Sequence, residues 1–458
     1  MNITAGTMVI AMIRISVSLL SVLLFANPAV SADPAQNQQK TLAIITSFSP
    51  QFYVPFIAKF RELRPDIKVQ VLNKKTTAAI DEIIRGNERR FDLFWSSSPD
   101  AFVVLKQAGR LRYLDYIAHY PPISPTQPYF DEQGWFYNFA LSGVGFMWNR
   151  ATLDEGGIGP PRSWQDLTHP RFYGQLAMST PSRSGTNHLI VESILQDMGW
   201  EKGWTYLMTI AGNMKTITAR SFSVPDGVAG GRFGAGLMID FLAHAKIHLD
   251  PVNQFEYGDP TYVMPARIAA LQDGRNVEAA VAFIDFLLSV DGQKVLLQPE
   301  INRLPVSREP FVGHQEAALP LINLIRREKT RSYDTGLSTV RYSLVNVLFD
   351  ELITYRLLER KRLWKKLIDL AKSNHSDPEE MERLKRQVID EVSKMPVTDR
   401  QSLDPEINEL FTSASLSAEQ RQQKRNLLDD WEHFVTRQLQ TADKLIVRRE
   451  TDTNPPLR

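Results

Sequence analysis

Four short stretches of this chain gather hydroxyl side chains, two of them with an arginine: Thr46-Ser47, Ser96-Ser97-Ser98, Ser182-Arg183-Ser184-Gly185-Thr186 and Arg220-Ser221-Phe222-Ser223. Hydroxyls and backbone N–H groups donate to anion oxygens at a small desolvation cost, and a guanidinium adds forked, charge-assisted bonds. Such a loop at the start of a helix also meets the positive end of the helix dipole. Serine and threonine favour helix starts for local reasons too, as caps. Recurrence of the pattern at four presumed strand ends is harder to explain by capping alone, and it points to an anionic, phosphorylated ligand. Asp240 and Tyr262 are placed to hydrogen-bond a hydroxylated part of that ligand, against the alternatives of a strand-end turn and a core aromatic. The candidate ligand-binding residues are therefore Ser47, Ser97, Ser182, Arg183, Ser184, Thr186, Arg220, Ser221, Asp240 and Tyr262.

Other chemistry finds little support. With no cysteine among 458 residues, there is no thiol nucleophile, thiolate metal site or disulfide. Asp240, His244 and His248 have metal-ligand spacing for a helix, but Leu237 to Ile239 reads as strand and no further ligand cluster accompanies them. No nucleophile-elbow or phosphate-loop pattern is present, and pairs such as Asp81-Glu82 read as solvated helix surface. No metal, cofactor or catalytic residue is expected. Fifty-three basic residues nearly balance 52 acidic ones, which offers no basis for nucleic-acid binding.

The elements that would position these loops follow from the apolar pattern. Lys40 to Thr46 is a buried-strand pattern, and Ser49-Pro50 opens a helix with Phe52, Phe56, Ile57 and Phe60 as its stripe. Lys68 to Leu72 and Phe91 to Trp95 read as strands, Thr76 to Arg85 and Ala101 to Ala108 as helices. The alternation predicts a parallel sheet with helices on both faces and ligands outside the carboxyl ends of its strands. Leu141 to Asn149 reads as a long strand, as do Leu176 to Met178, Lys215 to Thr218, Leu237 to Asp240 and Asp259 to Val263; Leu189 to Met198 and Asn276 to Leu288 are helical.

Both ends of the chain differ from this body. Arg14, the apolar run Ile15 to Phe25 and the small residues before Ala32 predict a cleavable signal peptide over 1–32, hence export to the periplasm. Beyond residue 310 stand only Gly313 and Gly336 of 24 glycines, with 49 of the 105 charged residues. Leu319 to Arg326, Ser338 to Leu370, Pro378 to Lys394 and Ala418 to Ile446 read as helices, so residues 311–458 form an all-helical extension. The stripe Val340, Leu344, Val347, Leu348, Leu352, Tyr355 and Leu358 would either pack on the main body or dock a partner protein.

Ser142 to Asn149, Ser163-Trp164-Gln165-Asp166-Leu167 and Ser182-Arg183-Ser184-Gly185-Thr186 together resemble the ABC-type periplasmic solute-binding proteins, in the branch of ferric and sugar-phosphate binders. Thr186-Asn187-His188-Leu189, Val191-Glu192-Ser193, Gly199-Trp200 and Pro260-Thr261-Tyr262-Val263 extend the resemblance toward regulatory members of that family. The resemblance implies an α/β fold of two lobes with a ligand cleft between them. Lobe one would hold about 40–140 and 255–310, and lobe two about 141–254, within a binding domain of 33–310. Closure would bring Ser47 and Ser97 against Ser184, Thr186, Arg220 and Ser221. Ferric members use neighbouring tyrosines; Tyr257 and Tyr262 are five apart here, which argues against iron.

What the resemblance implies for function is a phosphorylated, phosphoglycerate-like ligand and a membrane sensor kinase as partner, with the protein regulating phosphoglycerate transport and catalysing nothing. The alternative is the substrate-binding component of an ABC importer with a permease as partner. An exported phosphatase is a third reading, without an acid–base pair or metal cluster in its favour.

Overall fold

The computed structural model describes residues 40–115, 134–259, 261–311, 333–373, 377–412 and 415–453. The expected signal peptide and the expected helix Leu319 to Arg326 lie outside the described residues.

The first strands form as their buried runs dictate. β1 (Lys40–Thr46), β2 (Ile67–Asn73) and β3 (Leu93–Ser96) pair in parallel with β1 central. α1 (Pro50–Leu63) starts with Pro50 after Ser49 and buries Phe52, Phe56, Ile57 and Phe60. α2 (Thr76–Ile84) and α3 (Pro99–Gln107) complete the alternation, and apolar residues of both pack in a cluster with Ile45 and Phe94.

Next comes β4 (Tyr137–Asn149), thirteen residues long and buried along almost its whole length. Its first half pairs antiparallel with β9 (Val263–Ala270) and, near Leu141, with β10 (Leu304–Pro305). From Val144 onward it pairs antiparallel with β7 (Ala235–Ile239), and from Gly145 with β8 (Asn253–Tyr257). One strand thus belongs to two sheets, and the chain crosses between lobes at Ser142 to Val144. It crosses back after Tyr257, slightly later than the expected boundary at 255, because β8 still pairs with the lobe-two half of β4. Lobe two adds β5 (Leu176–Ser179) and β6 (Met214–Thr218), parallel to each other, with β7 parallel to β5. The sheets are mixed rather than parallel throughout, since the crossing strands β4 and β9 run against their neighbours. The expected strand at Asp259 to Val263 is the approach to β9, which starts only at Val263, and β8 carried no sequence signal of its own.

In lobe two, α4 (Arg150–Glu155), α5 (Gly185–Met198), α6 (Trp200–Asn213), α7 (Ser223–Ala229) and α8 (Asp240–Leu249) surround the sheet; α9 (Val277–Leu288) and α10 (Val290–Val295) return to lobe one. The extension forms α11 (Thr335–Phe349), α12 (Leu357–Ala371), α13 (Pro378–Val392), two short helices α14 (Asp399–Ser402) and α15 (Pro405–Thr412), and α16 (Ala418–Thr453). The expected helix Ser338 to Leu370 is broken by a wider π turn at Asp350–Thr354. The break resets the helical phase. Leu344, Leu348 and Leu352 are buried, while Val340 before the break and Tyr355 and Leu358 after it face solvent.

The extension is not a separate body. Leu344, Leu348, Trp364, Leu367 and Trp431 share one apolar cluster with Leu189, Ile190, Trp200, Trp204 and Leu207 of lobe two.

Candidate functional site

The two lobes meet along a row of loops. Thr77 Oγ1 donates to the Ser182 carbonyl at 2.7 Å, the Gly185 N–H donates to Thr76 Oγ1 at 3.2 Å, and Arg220 donates to Asn73 Oδ1 at 3.0 Å. Beside these contacts is a small cavity of about 40 Å³. Ser47, Ser97, Arg183, Ser184, Thr186, Arg220 and Ser221 line it, together with Lys75 and Thr76. Seven of the ten residues singled out in the sequence therefore converge, two loops from each lobe meeting over one space.

Local structure explains how each is presented. Ser184 caps α5: its Oγ accepts from the Asn187 N–H at 3.2 Å, which leaves its own proton available to the cavity. Ser47 Oγ lies 2.8 Å from Ser96 Oγ. Ser97 Oγ accepts from Arg303 at 2.9 Å, so its proton too is free to point elsewhere. The first turns of α1, α2 and α5 begin at this cavity, at Pro50, Thr76 and Gly185, and the positive ends of their helix dipoles add positive potential.

The electrostatics are one-sided. Lys75, Arg183 and Arg220 flank the same space, and among the described residues none has a carboxylate within ion-pair distance. Desolvation lowers the proton affinity of Lys75, and repulsion from Arg183 and Arg220 lowers it further. Desolvation also lowers that of Arg220. A cluster of cations held together without a counter-charge among the described residues attracts anions electrostatically.

Three expected residues lie off the cavity. Asp240 is buried at the lobe crossing, where Oδ2 accepts from the Gly143 N–H at 2.6 Å and from Tyr257 OH at 3.1 Å, and Oδ1 accepts from the Phe241 N–H at 2.7 Å. It ties β4, β8 and α8 together, and burial raises its proton affinity. Its helical spacing with His244 and His248 is real, but His244 packs on Phe255 and Tyr257, and no group of three potential metal ligands occurs among the described residues. Tyr262 is a core residue in the lobe-two cluster, edge-on to Tyr333 at 6.1 Å. Ser182 turns its hydroxyl to Thr180 Oγ1 at 3.0 Å and gives only its carbonyl to the lobe contact.

Sequence reasoning also missed residues. Lys75-Thr76 follows β2 as a cation-plus-hydroxyl loop, the same signature as the others, and was there to be found. Arg303 was not: it stands in an irregular turn before β10 with no local pattern. It is buried behind Ser97, with Nε and one terminal nitrogen lacking any hydrogen-bond partner among the described residues. Its guanidinium lies 4.5 Å over the Phe241 ring. Burial pulls its pKa down to about 9 despite the field of Asp240. A second cavity of about 230 Å³ adjoins the first and shares Ser49, Phe52, Phe222, Phe241 and Leu242 with it.

Two sheets joined by a shared strand, with a cleft between them, define the two-lobed fold of periplasmic binding proteins. Residues 90–321 match the profile of bacterial extracellular solute-binding proteins, and the chain belongs to that family. It is 33% identical over 333 residues, 72% of this chain and 81% of the other, to the phosphoglycerate transport regulatory protein PgtC of Salmonella typhimurium. Among solved structures, it is similar to the periplasmic binding protein AfuA of Actinobacillus pleuropneumoniae with fructose-6-phosphate bound, with a TM-score of 0.60, 20% identity and coverage of 68% of this chain and 98% of that one. The substrate-binding protein of an ABC transporter from Agrobacterium tumefaciens gives a TM-score of 0.58 at 19% identity, covering 72% of this chain and 96% of the other. The family is one of extracellular solute-binding proteins.

Proposed function

We propose that the cleft captures a small phosphorylated metabolite of the phosphoglycerate kind, and that the protein reports its presence to a membrane sensor kinase controlling the matching transporter. The observation that carries the ligand class is the meeting of Lys75, Arg183 and Arg220 with hydroxyl-bearing loops and no carboxylate partner among the described residues. The small cavity suits the phosphoryl group, and the adjoining one has room for the carbon skeleton. The likeness to a phosphoglycerate transport regulatory protein supports a regulatory role over uptake. Holding the ligand needs no covalent step; the site residues bind and orient it.

The test is calorimetric titration of the refolded protein with 3-phosphoglycerate, phosphoenolpyruvate, fructose 6-phosphate and inorganic phosphate. Tight binding of an organic phosphate, weakened about tenfold or more by Arg220→Ala, is expected. No binding by any of the four would overturn the ligand class. The regulatory part is read in cells: loss of the gene should abolish transporter induction by external phosphoglycerate. Intact induction with lost uptake would instead make the protein an importer's binding component.

A further inference from the structure

Helix α11 is rooted in lobe two but does not stay there. Leu344, Val345, Leu348 and Phe349 sit in the lobe-two core, whereas Tyr342 belongs to the lobe-one cluster around Phe94, Phe102 and Leu105. Arg341 forks onto Glu192 of α5 at 2.7 Å, and Thr180 Oγ1 donates to Asp350 at 2.6 Å; both bonds fix the helix to lobe two.

From that base a chain of polar side chains reaches into lobe one. Asp100, in the first turn of α3, is fully buried. Its Oδ2 lies 3.0 Å from Tyr333 OH, which lies 2.7 Å from Ser338 Oγ. Ser338 Oγ is 3.1 Å from His188 Nε2 of lobe two, and His188 Nδ1 is 2.9 Å from Asn346 Oδ1. Tyr333 has one proton for two neighbours. A protonated Asp100 resolves this: it donates to Tyr333, Tyr333 to Ser338, Ser338 to His188, and His188 to Asn346, each proton used once. Asp100 Oδ1 is buried without a hydrogen-bond partner among the described residues, which a neutral carboxyl tolerates far better than a carboxylate.

We infer that α11 is an interlobe clasp, a helix of the C-terminal extension that is built into lobe two and grips α3 of lobe one when the cleft is closed. A contact made only in one of two states shifts the equilibrium toward that state. Opening the cleft must pull Asp100 away from Tyr333 and strand it or let water in. The extension is thereby engaged by closure, which gives a sensor its route from ligand to tail. The inference deepens the proposed function and rests on it only for what drives closure.

The absence of cysteine allows a clean test. Spin labels on Glu88→Cys in lobe one and Lys202→Cys in lobe two, both exposed sites, report the lobe separation by double electron–electron resonance. Distances are recorded without ligand and with 3-phosphoglycerate. Tyr333→Phe and Asp100→Ala each remove the interlobe Asp100–Tyr333 bond without touching the cleft. In ligand-free protein each should lower the closed-to-open ratio about fivefold, the weight of one buried hydrogen bond. Apparent affinity should fall by up to the same factor when the ligand binds the closed state. Variant distributions that superpose on the parent's would overturn the clasp, as would a parent that never shows the closed distance. If Tyr333→Phe fails to fold, Asp100→Ala decides alone. Opening of the variants with no phosphate ester bound by the parent would keep the clasp and sink the ligand class, so the two readings fail separately.

Discussion

Gly185 of lobe two is in direct contact with Ser98 of lobe one: a Cβ built on the glycine would overlap the Ser98 side chain and stand 3.1 Å from Thr76 Cγ2. The glycine is the first residue of α5, where the backbone is helical and alanine is tolerated or preferred. Gly185→Ala should therefore leave folding intact and block closure. The expected result is an unchanged or slightly higher Tm with affinity for the phosphate ester reduced tenfold or more. Equal affinity in parent and variant would mean that the lobes need not meet here for ligand to bind.

Arg303 holds Ser97 at 2.9 Å with two of its nitrogens unpartnered among the described residues, an arrangement that costs stability and serves orientation. Replacing a buried, half-satisfied cation by an apolar side chain of similar length is often neutral or stabilising. Arg303→Met should keep or raise Tm, while affinity for the anion falls about three- to tenfold because Ser97 loses its fixed rotamer and the site one distant positive charge. A variant that loses stability and keeps its affinity would assign Arg303 to the fold alone.

How much of this was legible in the sequence depends on how local the cause is. The Ser49-Pro50 helix start, the strand ends at Ser47 and Ser97 and the cap at Ser184 are set within a few residues, and sequence places them well. The place of Asp240 at the lobe crossing was not legible, because its partners, Gly143 and Tyr257, approach through strand pairing that no local pattern announces. Arg303 meets Ser97 from 206 positions away for the same reason. The break at Asp350–Thr354 is anchored by Thr180, again a distant residue, so a continuous apolar stripe misled on Tyr355 and Leu358.

The buried pair Asp100 and His188 sets a pH dependence whose two halves oppose. Burial raises the pKa of Asp100 to about 7, with the field of Glu192 adding to it and Tyr333, Arg267 and Ser338 opposing. Burial lowers that of His188 to about 3, with Arg341 adding and Asn346 opposing. The native Asp100 binds its proton more tightly than the unfolded one, so its contribution is full below 3.8 and is lost as pH rises to about 7. The native His188 binds its proton less tightly, so its contribution is full above 6.5 and is lost as pH falls to about 3. Between these limits the slopes largely cancel. Asp100→Asn removes one of them, and the difference in Tm, variant minus parent, should increase from pH 4 to pH 7 and level off above. Thermal melts across that range check this; a constant difference would mean that Asp100 is ionised in the native protein throughout.

The extension offers the last prediction, because its side chains complete the core of lobe two. Trp364 covers Gly212 so closely that a Cβ there would lie 2.7 Å from Trp364 Cγ, and its Nε1 donates to Asn213 Oδ1 at 2.6 Å. In return, Trp200 Nε1 of lobe two donates to the Val397 carbonyl at 2.8 Å. The sequence left open whether this tail packs on the body or docks a partner; Leu344, Leu348 and Leu352 of its apolar stripe pack on lobe two, while Val340, Tyr355 and Leu358 stay exposed. Removing residues 312–458 should therefore not yield an intact binding domain: the truncated chain should be insoluble or bind an apolar-surface dye. Trp364→Ala should cost about 3–5 kcal/mol, the usual range for emptying a buried aromatic site. Calorimetry of the full chain should show one transition in which lobe two and extension melt together. Two well-separated transitions, with a truncated form that binds phosphate ester as the parent does, would show instead that the extension is a module added to a complete binding protein.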